Sequence, residues 1–469
     1  MSGPNTQKQP LPDSGGMYEK YRKVYAREIK GAFTNWRWIM AWLTQLVFYG
    51  LCWIEWNGRQ AVLFHLVERK FYLFGLVLWP QDVFYLAVLL IISAYGLFLF
   101  TAVAGRLFCG YACPQTVYTL IFMWIENRIE GSRNARMKRD AAQTSGDKAL
   151  RKGAKYLAWT VLSLWTGFTF VGYFTPIHEL WDSVLAWTLG PWETFWIFFY
   201  AAFAYLMAGI VREQMCKYIC PYARFQAVMF DPDTLIISYD NARGEPRGAR
   251  RKAIDYKAQG LGDCIDCGIC VQVCPTGIDI RNGLQLECIA CAACVDACDQ
   301  VMDQMNYPRG LVRYSTENAL ARHYTRKDIY AHLLRPRTLI YSSILLAITA
   351  AMIWSLYARI PFKADVIRDR GSLGREIDDG RIENVYTLRL MNTGEVERRY
   401  SIAVSGLPSA TLDGETEIAT PAAATLAVPI AVRAAPDDGK AGANQIFFEI
   451  VAMDDPSIRL REKATFMRP

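Results

Sequence analysis

CIDCGICVQVCPTGIDIRNGLQLECIACAACVDAC, residues 264–298, carries eight cysteines in two runs of one pattern, C-x2-C-x2-C-x3-C. The first run is Cys264, Cys267, Cys270 and Cys274, with Pro275 behind it; the second is Cys288, Cys291, Cys294 and Cys298. A cubane iron–sulfur cluster takes four thiolates around one centre. The C-x2-C-x2-C part folds three of them onto one cluster, and the fourth cysteine reaches across to the neighbour. That rule assigns Cys264, Cys267, Cys270 and Cys298 to one 4Fe–4S cluster, and Cys274, Cys288, Cys291 and Cys294 to the other. Zinc sites usually need only two such pairs, and a disulfide scaffold needs an oxidising compartment. The spacing therefore points to two clusters, and the chemistry it implies is electron transfer.

Outward from this stretch the chain turns apolar. Of 469 residues, 52% are hydrophobic and 13% aromatic, with 14 Trp. A bilayer span needs about 20 apolar residues. The windows Trp36–Trp56, Val83–Ala104, Tyr156–Phe174, Phe195–Val211 and Leu339–Tyr357 approach that length, each flanked by Trp, Tyr, Lys or Arg as interfacial anchors. Together they predict an α-helical membrane domain of about five spans. The stretch Ala61–Trp79 is apolar but interrupted by Glu68, Arg69 and Lys70. Charges at mid-membrane cost several kcal/mol, so it reads as a helix or hairpin lying at the outer interface.

Basic residues set the orientation. Arg22, Lys23, Arg27, Lys30 and Arg37 lie around the first span's start, and Arg128 to Lys155 supply a dense basic loop after the second. Arg322, Arg326, Lys327, Arg335 and Arg337 precede the fifth. With five spans all three groups share one side, which is then cytoplasmic; the C-terminus is outside. The polar start, MSGPNTQKQPLPDSGG, has no apolar core with a cleavage site and reads as a tail. The net charge of +7 tracks this topology and gives no argument for a nucleic-acid partner.

The expected organisation is a cytoplasmic tail (1–35), a membrane domain (36–212) and a cytoplasmic region (213–336). A last membrane helix (337–358) and a periplasmic domain (359–469) follow. The cytoplasmic region holds a ferredoxin-like α+β insert at about 255–305. Before it, FDPDTLIISYDNARGEPRG reads as a short strand and a Gly/Pro-rich turn. From Asn384 onward VYTLRLMN, YSIAVSG, TLAVPIAV and QIFFEIVAM alternate apolar and polar residues between turn clusters. Short strands at that spacing predict an all-β, immunoglobulin-like sandwich. It shows no catalytic constellation and reads as a binding or packing module.

Two further motifs resist a purely structural reading. Cys109 and Cys113 sit in FCGYACPQT after the second span, and Cys216 and Cys220 in MCKYICPYA after the fourth. Both are C-x3-C-P. On a continuing helix the two thiols of each motif would lie on one face, about 6 Å apart, with the proline stopping or bending the chain. Two such faces meeting would put four soft thiolates at the membrane boundary, suited to Cu(I), zinc or iron–sulfur iron, or to thiol redox. Cys52, alone in the first span, reads as a small core residue. His65 and His178 fall near the outer face, His323 and His332 near the inner. No two share a span, so an intramembrane bis-histidine haem is unsupported.

With these residues assembled, the chain resembles the cytochrome c oxidase accessory protein family, CcoG, also called FixG or RdxA. The resemblance rests on RKFYLFGLVLWPQD, both C-x3-C-P motifs, FDPDTLIISYDNARGEPRG, the paired cysteine runs, GLVRYSTENAL and the terminal sandwich. It implies a multi-pass bacterial inner-membrane protein that assists biogenesis of cbb3-type oxidase, reducing Cu(II) to Cu(I) on the cytoplasmic side. Cys109, Cys113, Cys216 and Cys220 become the candidate catalytic, copper-binding thiols, and the eight other clustered cysteines become ligands of two 4Fe–4S clusters. Expected partners are membrane lipid, copper, oxidase assembly factors or a copper transporter or chaperone, and an electron donor. The alternatives are a quinol-linked membrane ferredoxin conduit, like those of nitrate and nitrous oxide respiration, or a non-enzymatic assembly scaffold. Two places depart from a generic two-cluster ferredoxin: Asp299 follows Cys298 where proline is usual, and Ala290 and Ala292 stand where glycine is common.

Overall fold

The computed structural model describes residues 23–252, 255–322, 324, 328, 335–369, 374–377 and 379–469. His323 and His332 lie outside the described residues. The chain forms two compact units. One gathers Met1–Thr44, Phe98–Leu164 and Ala201–Thr338; the other gathers Gln45–Leu97, Trp165–Tyr200 and Leu339–Pro469.

Among the described residues, three helical stretches are long and apolar enough to cross a membrane: Pro80–Ala104, Pro191–Val211 and Pro336–Tyr357. The other two expected windows fall on the helices Ala32–Gly50 and Gly146–Val171. These are long but less apolar, because Asn35, Arg37 and Gln45 interrupt the first, and Lys148, Arg151, Lys152 and Lys155 load the start of the second. The window Trp36–Trp56 also overran its helix. After Gly50 the chain tightens into one 3₁₀ turn, and Glu55–Trp56 then pairs antiparallel with Arg59–Gln60. Asn57 and Gly58 make that hairpin, both at positive φ (49° and 72°), the geometry that Asn-Gly supplies most cheaply.

In the same unit, the charged stretch resolves as a hairpin and not a helix. Val62–His65, Lys70–Leu73 and Leu76–Leu78 form a three-stranded antiparallel meander. Glu68, Arg69 and Lys70 sit at its first turn, where Glu68 and Lys70 pair at 3.1 Å, so no charge needs burial. Leu63, Tyr72, Val77 and Trp79 pack against Met391 of the C-terminal domain. Cys52 is fully buried among Phe168, Val171, Ile177 and Leu180, an apolar core residue as its sequence context suggests.

That C-terminal domain is a two-sheet antiparallel sandwich. One sheet runs in the order Thr411–Asp413, Thr425–Ala434, Ile382–Asn392, Phe362–Arg368, with Arg375–Glu376 also pairing on Ile382–Asn392; the other runs Glu417–Thr420, Arg398–Ser405, Gly442–Ala452, Arg459–Arg468. Alternate residues point inward: Tyr386, Leu388 and Leu390 from one sheet meet Tyr400, Phe448 and Phe466 from the other.

In the unit that bears the clustered cysteines, Ile236–Tyr239 pairs antiparallel with Val312–Ser315. The first strand is the one read from FDPDTLIISY. The helix Ala293–Met305 follows the second cysteine run. Its buried Asp296 accepts the Phe33 N–H (3.2 Å), the Thr34 N–H (2.7 Å) and the Thr34 hydroxyl (2.8 Å). A carboxylate at a helix N-terminus satisfies otherwise unpaired amides and the helix dipole. The cysteine insert is thereby fixed to the start of helix Ala32–Gly50.

Candidate electron-transfer site

Two small cavities lie inside the cysteine insert, and each is walled by one predicted ligand set. Cys264, Cys267, Cys270 and Cys298 line a space of about 30 Å³ closed by Tyr239, Met302 and Leu311. Cys274, Cys288, Cys291 and Cys294 line one of about 20 Å³, which Cys270 lines as well, with Ile237, Ile278 and Ile280 around it. The thiols that act on one another electrostatically follow nearly the same division: Cys298 with Cys270 and Cys264, and Cys294 with Cys291, Cys288 and Cys274, Cys270 alone also reaching Cys294 from the other set. The fourth cysteine of each run thus stands with the other run's three. Apolar walls and four converging sulfurs fit a cubane, whose potential depends on burial and hydrogen bonding.

Burial pushes these thiols up: Cys270 to about 11, Cys288 and Cys298 to about 12, and Cys294 well above its ordinary value. Left to themselves they stay neutral; a bound cationic centre is what makes such groups ionise.

The C-x3-C-P cysteines come together, but by a different geometry from the one expected. Neither pair rides one continuing helix. Cys109 lies in the short helix Leu107–Tyr111, and Cys113 is extended (φ −60°, ψ 127°) as the cap of helix Pro114–Glu130. Cys216 lies in a π-helical turn, Met215–Ile219, and Cys220 is extended (φ −70°, ψ 113°) before helix Pro221–Met229. The proline of each motif does not end a helix; it opens the next one at its first position, where its missing N–H costs nothing. Cys109, Cys113 and Cys220 all act on Cys216 as like-charged neighbours. Burial raises Cys109 to about 11 and Cys216 to about 12, and also raises Cys113. Among the described residues, no three His, Cys, Asp or Glu side chains are already set to hold a single metal ion.

Three residues that sequence reasoning passed over organise this quartet. Arg106, 5% exposed, donates to the Ala223 carbonyl (2.8 Å), the Cys288 carbonyl (3.2 Å) and the Leu286 carbonyl. One guanidinium thus ties the first C-x3-C-P loop to the second loop and to the second ferredoxin run, and its charge favours ionised sulfur at Cys109, Cys216 and Cys288. Gln226, fully buried, donates its amide to the Cys109 sulfur at 3.4 Å. Gly110 approaches so closely that a Cβ there would stand 2.8 Å from the Ile289 and Ala290 carbonyl oxygens. An arginine just after an apolar span and a glycine inside the motif were the available signals; Gln226 offered none.

The outcome is one continuous environment. Cys109 and Cys216 pack on the same buried cluster as Cys291 and Cys294, around Val273, Ile289, Ala293 and Ala297.

Fold and site together define a membrane-spanning protein with a dicluster ferredoxin-type insert and an immunoglobulin-like terminal domain. Family models agree region by region: a "4Fe-4S dicluster domain" matches residues 211–317, a "4Fe-4S binding domain" residues 86–131, and the "IG-like fold at C-terminal of FixG" residues 352–469. The match over 86–131 contains only Cys109 and Cys113, half the thiolates a cubane needs. Nitrogen fixation protein FixG of Rhizobium meliloti is 36% identical over 429 residues, 85% of this chain and 82% of that one. Protein RdxA of Cereibacter sphaeroides is 38% identical, covering 89% of this chain and 88% of its own, and protein RdxB of the same organism is 37% identical over 90% and 88%. The chain belongs to the FixG/RdxA family, as its motifs led one to expect.

Proposed function

We propose that the protein is a one-electron oxidoreductase that reduces Cu(II) to Cu(I) at the C-x3-C-P quartet, on the cytoplasmic side of a bacterial inner membrane. The observation that carries this is the shared apolar cluster in which Cys109 and Cys216 pack with Cys291 and Cys294. When bound, the iron–sulfur pair supplies one-electron carriage. The rest is the work of this chain's own residues. Each Cu(II) takes one electron, and the reductant that restores it is a cytoplasmic donor or a membrane quinol. Soft sulfur favours the Cu(I) product over the Cu(II) substrate. Burial raises the Cys109, Cys113 and Cys216 thiols, so these three release protons as they take the ion. Arg106 keeps both loops against the second ferredoxin run.

Contacts inside the cysteine-bearing unit favour five membrane crossings. Asp296 holds the start of helix Ala32–Gly50 beside the insert, and Arg106, at the end of the second apolar helix, also meets the insert. Between those two points the chain must cross an even number of times; Pro80–Ala104 is one crossing, and Ala32–Gly50 supplies the other. The same parity between Cys113 and Cys216 requires Gly146–Val171 to pair with Pro191–Val211. The basic loop around Arg133–Lys155 then marks this side as cytoplasmic, with the sandwich periplasmic. In this reading the copper feeds cbb3-type oxidase biogenesis through a copper transporter, chaperone or assembly factor.

The test replaces Cys109, Cys113, Cys216 and Cys220 by Ser together and measures Cu(II) reduction in membranes, with iron content as the control. Reduction should fall to background while iron stays. Undiminished reduction rejects the quartet as the site.

A further inference from the structure

Beside the quartet lies a cavity of about 110 Å³ that neither the cluster sites nor the copper reading uses. It sits within the cysteine-bearing unit. Apolar and aromatic residues, among them Trp38, Leu120, Met123, Trp124 and Ile289, share its walls with polar and charged ones, and Cys216 of the quartet also lines it. Trp38 and Trp124 meet edge to face at 6.2 Å. Trp36, Trp42 and Trp124 are exposed around them, as aromatic side chains are where a protein meets the bilayer interface. Apolar cavities of this class, ~150 Å³, accept a benzene-sized ring.

Four buried charges line it. Arg136 and Arg212 are both committed to Glu126, at 3.6 and 2.7 Å, which leaves Arg37 and Glu213 to make it a site. Arg37 lines the cavity at 8% exposure, and its Nε has no hydrogen-bond partner. A guanidinium nitrogen shut away from water without an acceptor costs free energy that a ligand oxygen would recover. Glu213, 7% exposed, lines the same cavity and accepts from the Gln214 amide at 3.2 Å. It also borders a wider, open space of about 340 Å³ ringed by Lys23, Glu126 and Lys155. A donor for one ligand oxygen, an acceptor for a hydroxyl, and an aromatic slot between them are the recognition set of a hydroquinone ring.

We propose that this cavity seats the headgroup of a membrane quinol, with Arg37 donating to one ring oxygen and Glu213 accepting from a ring hydroxyl. The assignment rests on the electron-transfer reading and names its donor. Oxidation of the quinol to the quinone releases two electrons and two protons. When bound, the two 4Fe–4S groups would supply a one-electron acceptor for each electron, and Glu213, bordering both spaces, is placed to receive the ring protons in turn and pass them toward the open polar space. An anionic lipid headgroup would also satisfy Arg37, but it would set a phosphate against the Glu213 carboxylate and leave the aromatic slot unfilled.

The test reads binding, without copper, so it stands apart from the cupric assay. Anaerobically purified full-length protein in detergent is titrated with a short-tailed quinone while tryptophan fluorescence is followed. A photoreactive quinone is then crosslinked to the wild-type chain. Saturable quenching is expected, with label on peptides spanning residues 26–38 and 115–127. Arg37→Gln should weaken binding at least tenfold, and Leu120→Trp, which fills the slot, should abolish it, both with iron content kept. Label confined to other segments overturns the proposal. So does unchanged binding by both iron-replete variants, or displacement by phosphatidylglycerol but not by excess unlabelled quinone.

Discussion

Cys264–Cys274 and Cys288–Cys298 share a spacing, and their backbones repeat as well: Asp266 and Gly268 take positive φ (51° and 63°) in the first run, Ala290 and Ala292 (53° and 56°) in the second. Their surroundings differ. In the first run Cys267 is exposed, and nothing lies within 4 Å of where a Gly268 side chain would be. In the second, Cys291, Ala290 and Ala292 are buried, and the Gly110 loop, Arg106 and Cys109 crowd against them. One run faces outward and the other faces the quartet. Repeated spacing therefore makes the two runs alike in sequence, whereas burial and neighbours set an exposed run apart from one packed against the quartet.

Removing one ligand from each run gives the largest effect. Cys267→Ala and Cys291→Ala should each lower iron from about eight to about four per chain, by the two-cubane stoichiometry. The consequences then diverge. Cys291→Ala also opens a hole in the cluster shared with Cys109 and Cys216, so Cu(II) reduction by protein reduced beforehand and then freed of reductant should vanish. Cys267→Ala should retain a measurable fraction. Iron analysis with EPR of the reduced protein decides it. Equal loss of reduction in both variants would erase the distinction between inner and outer runs.

Proton competition should have a more modest effect, shared by both sites. Burial raises Cys270 to about 11 and Cys288 to about 12, with Cys294 higher still and Cys274 also raised. Each raised thiol must give up its proton to bind iron. Iron uptake by the iron-free protein should therefore quicken as pH rises from about 6.5 to about 8.5. The sign for stability is opposite. These acids have folded values above the unfolded one, so the iron-free fold keeps their contribution below about pH 9 and loses it as pH rises toward 11–12. Iron uptake followed against pH, with denaturation of the iron-free protein beside it, checks both directions.

What was legible beforehand follows the reach of the signal. The paired cysteine runs of a dicluster domain and the sandwich strands are written in local periodicity, three residues apart or alternating, and the chain need only obey its own spacing. The first helix's end was not legible: LCWIEW stays apolar past Gly50, and the break comes from the Asn57–Gly58 hairpin beyond it. The C-x3-C-P prolines were misjudged because proline is compatible with both a helix's end and its start, and the residue before it settles which; Cys113 and Cys220 are extended. Arg106 and Gln226 act through contacts more than 100 residues away along the chain, and no local pattern encodes that.

The smallest expected effect probes the backbone shared by the two runs. A non-glycine residue in the left-handed region costs roughly 1–2 kcal/mol, and glycine in its place gives back about 0.5–1 kcal/mol in chain entropy. Gly268→Ala has open space for its Cβ and should pay only that strain, about 1 kcal/mol. Ala292→Gly should relieve the strain but surrender a fully buried methyl, worth about 0.8 kcal/mol, and so end within about 0.5 kcal/mol of the parent. Guanidinium-driven bleaching of cluster absorbance in detergent resolves the two. A clear stabilisation by Ala292→Gly would mean that the methyl packs poorly and that alanine serves the inner run in some way other than by filling space.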